Sequence, residues 1–131
     1  MDIISTAPDG IVATDRRMIV IDDDDAVRRS LQLLLHWRGF EVRSYSTAAT
    51  ALADPQIAEA PFLVVDRILP DGDGLTVLET LRALGWKGRA ILITGMPSPG
   101  LAEQARACGY DAVLEKPLRQ HELLNALNER P

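Results

Sequence analysis

The chain has 131 residues, 47% hydrophobic and 25% charged, a composition that suits one soluble globular domain with its own core. Its 14 basic and 19 acidic residues give a net charge of −5, and without a basic stripe this argues against direct nucleic-acid binding by the chain. One cysteine, Cys108, excludes an internal disulfide and fits a reducing cytoplasm, and neither a membrane-length apolar run nor a signal-peptide pattern is present, so a cytoplasmic location with no membrane partner is expected.

Residues 1–16 mix Pro8, Asp9, Gly10 and Asp15 with scattered apolar side chains and hold no period. They read as an N-terminal extension, with a short strand at 11–13 as the alternative, and a single domain is expected over 17–131. Met18-Ile19-Val20-Ile21 is the first strand and ends in Asp22-Asp23-Asp24-Asp25. Val27, Leu31, Leu34 and Leu35 then fall at helical spacing, with Asp24 and Asp25 suited to the cap and first turn and Gly39 to the stop. The alternation from Phe40 to Tyr45 predicts a less buried strand, and Ser46 or Thr47 predicts the cap of a short helix through Leu52.

Phe62-Leu63-Val64-Val65 reads as a strand buried on both faces and ends at Asp66, before Pro70. An aspartate at a strand tip serves as well in an ordinary Asx-turn, so this stretch alone does not decide its role. Asp71-Gly72-Asp73-Gly74 resembles the start of a calcium loop, but Leu75 and Arg82 occupy ligand positions, so a turn is expected. Leu75, Val77, Leu78, Leu81 and Leu84 mark a third helix, stopped at Gly85. Ala90-Ile91-Leu92-Ile93 is a buried strand ending at Thr94-Gly95. Pro97 and Pro99 stiffen the next loop, so the fourth helix should be short or start late, with Ser98 as its cap, Pro99 in its first turn and an end near Gly109. Ala112-Val113-Leu114 is the last strand, running into Glu115-Lys116-Pro117, and a final helix spans Leu118 to about Asn128.

Strand and helix alternate five times, which predicts an α/β fold: a five-stranded parallel sheet with helices on both faces and right-handed crossovers. Four apolar strands end in Asp22-Asp23, Asp66, Thr94 and Lys116, and parallel strands bring those ends to one edge, where such sheets bind ligands. Clustered carboxylates repel unless a cation joins them, and Mg²⁺ accepts one or two carboxylates while keeping waters or phosphate oxygens. A metal, a lysine and a threonine suit a phosphoryl group, and a central aspartate can be the nucleophile, so the residues point to phosphoryl transfer onto Asp66.

Ile19-Val20-Ile21-Asp22-Asp23-Asp24, Leu63-Val64-Val65-Asp66-Arg67-Ile68-Leu69-Pro70 with Gly74, Ile91-Leu92-Ile93-Thr94-Gly95 and Leu114-Glu115-Lys116-Pro117 together resemble the receiver domain of two-component response regulators, from about residue 17 to 129. The resemblance implies a doubly wound, flavodoxin-like (βα)5 sheet of strand order 2-1-3-4-5. It implies Asp66 as phosphoacceptor; Asp22, Asp23, Asp66 and the Ile68 backbone carbonyl as Mg²⁺ ligands; Thr94 and Lys116 as partners of the phosphoryl oxygens; an often cis bond before Pro117; and access past Gly95. The implied donor is a sensor histidine kinase or histidine phosphotransfer protein. The implied readout is by a downstream effector or output domain on the face built from the last two strands and their helices, and a phosphorylation-dependent dimer is allowed. The chain would be a signalling module that catalyses only its own phosphorylation and dephosphorylation. Among receivers it resembles the nitrogen-fixation and redox-regulator type, which usually precede a DNA-binding helix-turn-helix; residues 128–131 show none.

The chain departs from the receiver pattern at Val113, where an aromatic residue is common, so coupled movement of Thr94 with a switching aromatic is not expected; Tyr110 lies nearby but out of position. Two alternatives stand beside the receiver reading. Haloacid-dehalogenase-type phosphatases use a similar set, but Ala26 sits where their first motif needs Thr or Val, and no later acidic pair follows a strand. A phosphorylation-independent interaction domain is favoured only by Val113. His36 and His121 read as surface residues, Cys108 as a small packed residue, and Trp37 and Trp86 as packing residues near helix ends.

Overall fold

The computed structural model describes residues 15–128. The N-terminal extension expected at 1–16 lies outside these apart from its last two residues, as does the alternative strand at 11–13.

Five parallel strands form the sheet: β1 (Arg17–Ile21), β2 (Glu41–Tyr45), β3 (Phe62–Asp66), β4 (Arg89–Thr94) and β5 (Ala112–Glu115). Their order is β2-β1-β3-β4-β5, as expected. The helices are α1 (Asp25–Trp37), α2 (Ala48–Leu52), α3 (Gly74–Ala83), α4 (Leu101–Cys108) and α5 (Gln120–Asn128). Alternation along each strand divides the core in two, because successive side chains leave opposite faces. Ile19, Ile21, Leu63, Val65 and Leu92 pack against α2, α3 and α4. Met18, Val20, Val64, Ile91 and Ile93 pack against α1 and α5 through Leu31, Leu35, Leu123 and Leu127. Strands buried on both faces read as continuous apolar runs, which is why β1, β3 and β4 were plain in the sequence.

Chain direction along the sheet reverses between β1 and β3. The first crossover goes outward to β2, and the next returns to the far side of β1, leaving a crevice between the ends of β1 and β3. Asp22 and Asp66 stand at those two ends.

Local chemistry sets the helix ends. Asp24 caps α1, accepting N–H bonds from Ala26 and Val27, and Thr47 caps α2, accepting from Thr50. Gly39 (φ +88°) follows α1 in the left-handed conformation that ends helices, which costs glycine little. At α4 the expected Ser98 cap is not formed. Gly100 (φ +80°) occupies the cap position, the helix begins at Leu101, and Ser98 contributes only its carbonyl, accepting the Leu101 N–H at 3.2 Å. Two prolines remove backbone donors and restrict their neighbours, so the chain turns once more before a helix can start. The late, eight-residue α4 is the one the prolines predicted. In native-state hydrogen exchange, the Ser98 and Gly100 amides should exchange far faster than Ala105 and Tyr110; a protected helix from residue 96 would contradict this assignment.

Three features were not foreseen. A 3-10 helix covers Pro55–Glu59. A two-stranded ribbon pairs Ile68–Leu69 with Gly72–Asp73 directly after β3. Trp37 is 78% exposed on α1 rather than packed, whereas Trp86 is buried with its indole N–H donating to the Ala60 carbonyl at 2.8 Å. Among the described residues, no helix is long and apolar enough to cross a membrane.

Candidate functional site

The β1 backbone stays tied to β2 one residue beyond its end, through the Asp22 N–H and the Tyr45 carbonyl at 3.0 Å, so Asp22 leaves the sheet in a fixed direction. Its side chain is fully buried. Oδ1 accepts the Asp24 N–H at 2.9 Å, which turns the chain into α1, and Arg28 donates to the Asp22 carbonyl at 2.7 Å. Oδ2 lies 2.9 Å from Lys116 Nζ, yet no donor is aligned with it. It has a charge beside it and no hydrogen bond, an expensive state for a buried oxygen.

Asp66 closes β3 and is 7% exposed. Its Oδ2 accepts from Lys116 Nζ at 3.1 Å, and its Oδ1 faces the Ile68 N–H at 3.4 Å. Asp23 is exposed at the rim, and one carboxylate oxygen from each of Asp22, Asp23 and Asp66 lies within 4.8 Å of the others. Thr94 is buried at the end of β4, beside β3, where its Oγ1 accepts the Met96 N–H at 3.0 Å and keeps its own proton to donate. Lys116 is fixed to that strand end by its backbone N–H, which donates to the Thr94 carbonyl at 2.8 Å, and the bond to Pro117 is cis. The fold therefore gathers Asp22, Asp23, Asp66 and Lys116 at one edge, with Thr94 on the adjacent strand end and Ile68 two residues past Asp66.

Space around the site is set by two glycines. A Cβ at Gly74 would fall 2.4 Å from the Asp66 carbonyl oxygen, so α3 can start this close to β3 only with glycine there. At Gly95 a Cβ would touch nothing nearer than the Lys116 side chain at 4.0 Å, and that flank is open.

The charges balance unevenly. Burial pushes the Asp66 carboxyl above its ordinary value, the Lys116 hydrogen bond pulls it down, and the Asp22 charge pushes it up again; the net direction is upward. Burial works against the Lys116 ammonium, but its close contacts with the Asp22 and Asp66 carboxylates together outweigh it and raise its pKa. One lysine thus serves two buried carboxylates, and a third stands at the rim. A buried oxygen without an aligned donor, in a cluster of three carboxylates, fits a hard divalent cation.

Other groups hold the site and were not visible in the sequence. The Tyr110 hydroxyl, buried, donates to the Gly74 carbonyl at 2.6 Å, and Val113 packs half-buried against the core beside α2, α3 and α4. Arg67 pairs with Asp73 at 3.2 Å, while Asp73 caps α3 through the Leu75 N–H. Asp71 accepts from the first two amides of α2. These bonds join residues far apart in the chain or across a turn, and no periodicity encodes them. His36 and His121 are exposed, and Cys108 is half-buried against the core, as read from the sequence.

Residues 18–128 match the model of the response regulator receiver domain, and the chain belongs to that family. It is 31% identical over 121 residues to the acid tolerance regulatory protein ActR of Rhizobium meliloti (strain 1021), covering 92% of this chain and 62% of ActR. It is 36% identical over 108 residues to the transcriptional regulatory protein FixJ of Azorhizobium caulinodans, covering 82% of this chain and 51% of FixJ. The chain thus spans between half and two thirds of the length of these relatives. Among solved structures, a CheY-like receiver domain protein from Methanospirillum hungatei JF-1 superposes with a TM-score of 0.80 at 30% identity, covering 88% of this chain and 93% of that one. A Burkholderia pseudomallei response regulator, solved with a phosphorylated aspartic acid, calcium ion and citrate, superposes at 0.74 and 31% identity, covering 86% and 66%.

Proposed function

We propose that this receiver domain accepts a phosphoryl group on Asp66 in the presence of Mg²⁺, from a sensor histidine kinase or histidine phosphotransfer protein. The observation that carries this reading is the shared Lys116 ammonium, 3.1 Å from the Asp66 carboxylate and 2.9 Å from that of Asp22, in a pocket whose Asp22 oxygen lacks an aligned donor. Asp22, Asp23, Asp66 and the Ile68 carbonyl would hold the ion. When bound, it neutralises the carboxylates and the incoming phosphoryl oxygens.

The chain's own groups do the rest. An Asp66 oxygen forms a bond to phosphorus as the donor's P–N bond breaks, and that electron pair leaves with the imidazole nitrogen, which takes a proton. Lys116 follows the charge from carboxylate to phosphoryl oxygen. The Thr94 hydroxyl donates its free proton to another phosphoryl oxygen, and the open flank at Gly95 admits donor and water. Hydrolysis later returns Asp66 as a carboxylate and releases phosphate. A relative's phosphorylated aspartic acid, seen with a calcium ion, supports the same chemistry here. The domain, taken as 17–131 with 1–16 as an extension, would signal to a downstream effector or output domain through β4, α4, β5 and α5. The location would be the cytoplasm.

Intact mass after incubation with acetyl phosphate tests this. A single phosphoryl adduct that needs Mg²⁺ and maps to Asp66 is the expected result; an adduct elsewhere, or none even from a kinase donor, overturns it.

A further inference from the structure

The ribbon after β3 carries Ile68 and is held at both ends. At its base, Gly74 N–H donates to the Arg67 carbonyl at 2.7 Å, and Asp73 joins Arg67 to the start of α3. At its tip, in the turn made by Pro70 and Asp71, the Asp71 carboxylate reaches across to α2. Oδ1 accepts the Ala48 N–H and Oδ2 the Ala49 N–H, both at 2.9 Å, over 23 and 22 residues of chain.

This division of acceptors is specific. A helix start leaves its first N–H groups without intrahelical partners. In α2, Thr47 takes the third amide, from Thr50, and the first two go to Asp71. The five-residue helix therefore cannot satisfy its own start. The two amides also hold the Asp71 carboxyl below its usual range, so it stays charged across the physiological range although the residue is exposed.

We infer that Asp71 is a positioning residue for the metal-binding loop: by strapping the ribbon tip to α2, it fixes the Ile68 backbone beside the acidic cluster. The inference rests on the Mg²⁺ reading above. Without the strap, the ribbon keeps its two-residue pairing and its anchor at α3, but its tip swings. A backbone ligand cannot be re-aimed by a rotamer change, so tip movement passed along the two-residue strand would displace the Ile68 carbonyl. Outer groups that hold metal ligands in place commonly govern affinity about as strongly as tenfold or more.

A plain helix cap would produce a different result, which Thr47 makes separable. Thr47→Ala removes a cap from the same helix and leaves the strap in place. Mg²⁺ titration calorimetry on the unphosphorylated full chain compares wild type, Asp71→Ala, Asp71→Asn and Thr47→Ala, with circular dichroism to verify folding. Asp71→Ala should weaken Mg²⁺ about tenfold. Asp71→Asn, which keeps one acceptor oxygen, should fall between it and wild type; it also carries the test if the alanine variant does not fold. Thr47→Ala should bind like wild type. Unchanged affinity in both Asp71 variants, or an equal loss in Thr47→Ala, overturns the inference while leaving the metal site standing. Absence of Mg²⁺ binding by wild type overturns the metal reading and the strap's role with it.

Discussion

Asp66→Asn should abolish the phosphoryl adduct completely and, without Mg²⁺, should melt at a higher temperature than the wild type at pH 7. The first effect follows from removing the carboxylate proposed to attack phosphorus. The second follows from the direction of the Asp66 shift. Burial, the largest cause, raises its folded pKa above the unfolded value. Such a group binds its proton more tightly folded than unfolded, so it favours the fold at low pH, and that contribution is lost as pH rises through the folded pKa. At neutral pH the ionised Asp66 therefore costs stability despite Lys116, and the neutral amide removes the cost. The difference between variant and wild type should shrink as pH falls to about 4, where the unfolded carboxyl also protonates. Saturating Mg²⁺ should reverse the order, since the wild type alone keeps the full set of carboxylates. Thermal melts from pH 4 to 8, with and without Mg²⁺, check all of this; a lower melting temperature for Asp66→Asn in metal-free buffer at pH 7 would sink the electrostatic part.

Lys116→Ala should have the larger effect on stability. The ammonium lies within 3.1 Å of two buried carboxylates, and its own side chain is 20% exposed. Removing one partner of a buried ion pair leaves the other uncompensated, at about 3–5 kcal/mol in full burial, and partial exposure reduces that here to about 2–4 kcal/mol. Mg²⁺ should restore much of the loss, because a cation again faces Asp22 and Asp66. Lys116→Arg keeps the charge and should lose less. The phosphoryl adduct should be weak in both variants, as neither places an ammonium on the phosphoryl oxygens. Denaturant titrations with and without Mg²⁺ measure this, and a loss of the same size in both buffers would mean that Lys116 acts by packing and not by charge.

The order of the elements and the residues that meet at the strand ends were legible because both rest on short-range patterns. An apolar run that stops at a carboxylate, a threonine or a lysine marks a buried strand and its polar exit, and parallel pairing then brings the exits together. The edges of that reading are equally physical. Ser98 and Pro99 carry good helix-start chemistry, yet Gly100 takes the cap because the paired prolines delay the turn. Trp37 follows an apolar period into the last turn of α1 but faces solvent, while Leu35 in the same turn is fully buried. The ribbon, the strap from Asp71 and the Tyr110 hydroxyl on Gly74 depend on where separate segments come to lie, which spacing along one segment does not encode.

Lys116 stands just past the last strand, while the carboxylates it serves stand at the ends of the first and third. During synthesis, a chain that has emerged only through β4 already carries Asp22, Asp66 and Thr94, but not the cation that sits between the carboxylates. Such a nascent chain has its acidic groups in hand but not Lys116, the ammonium that faces them. On the function proposed above, the capacity to accept a phosphoryl group would be complete only once the final strand has docked against β4.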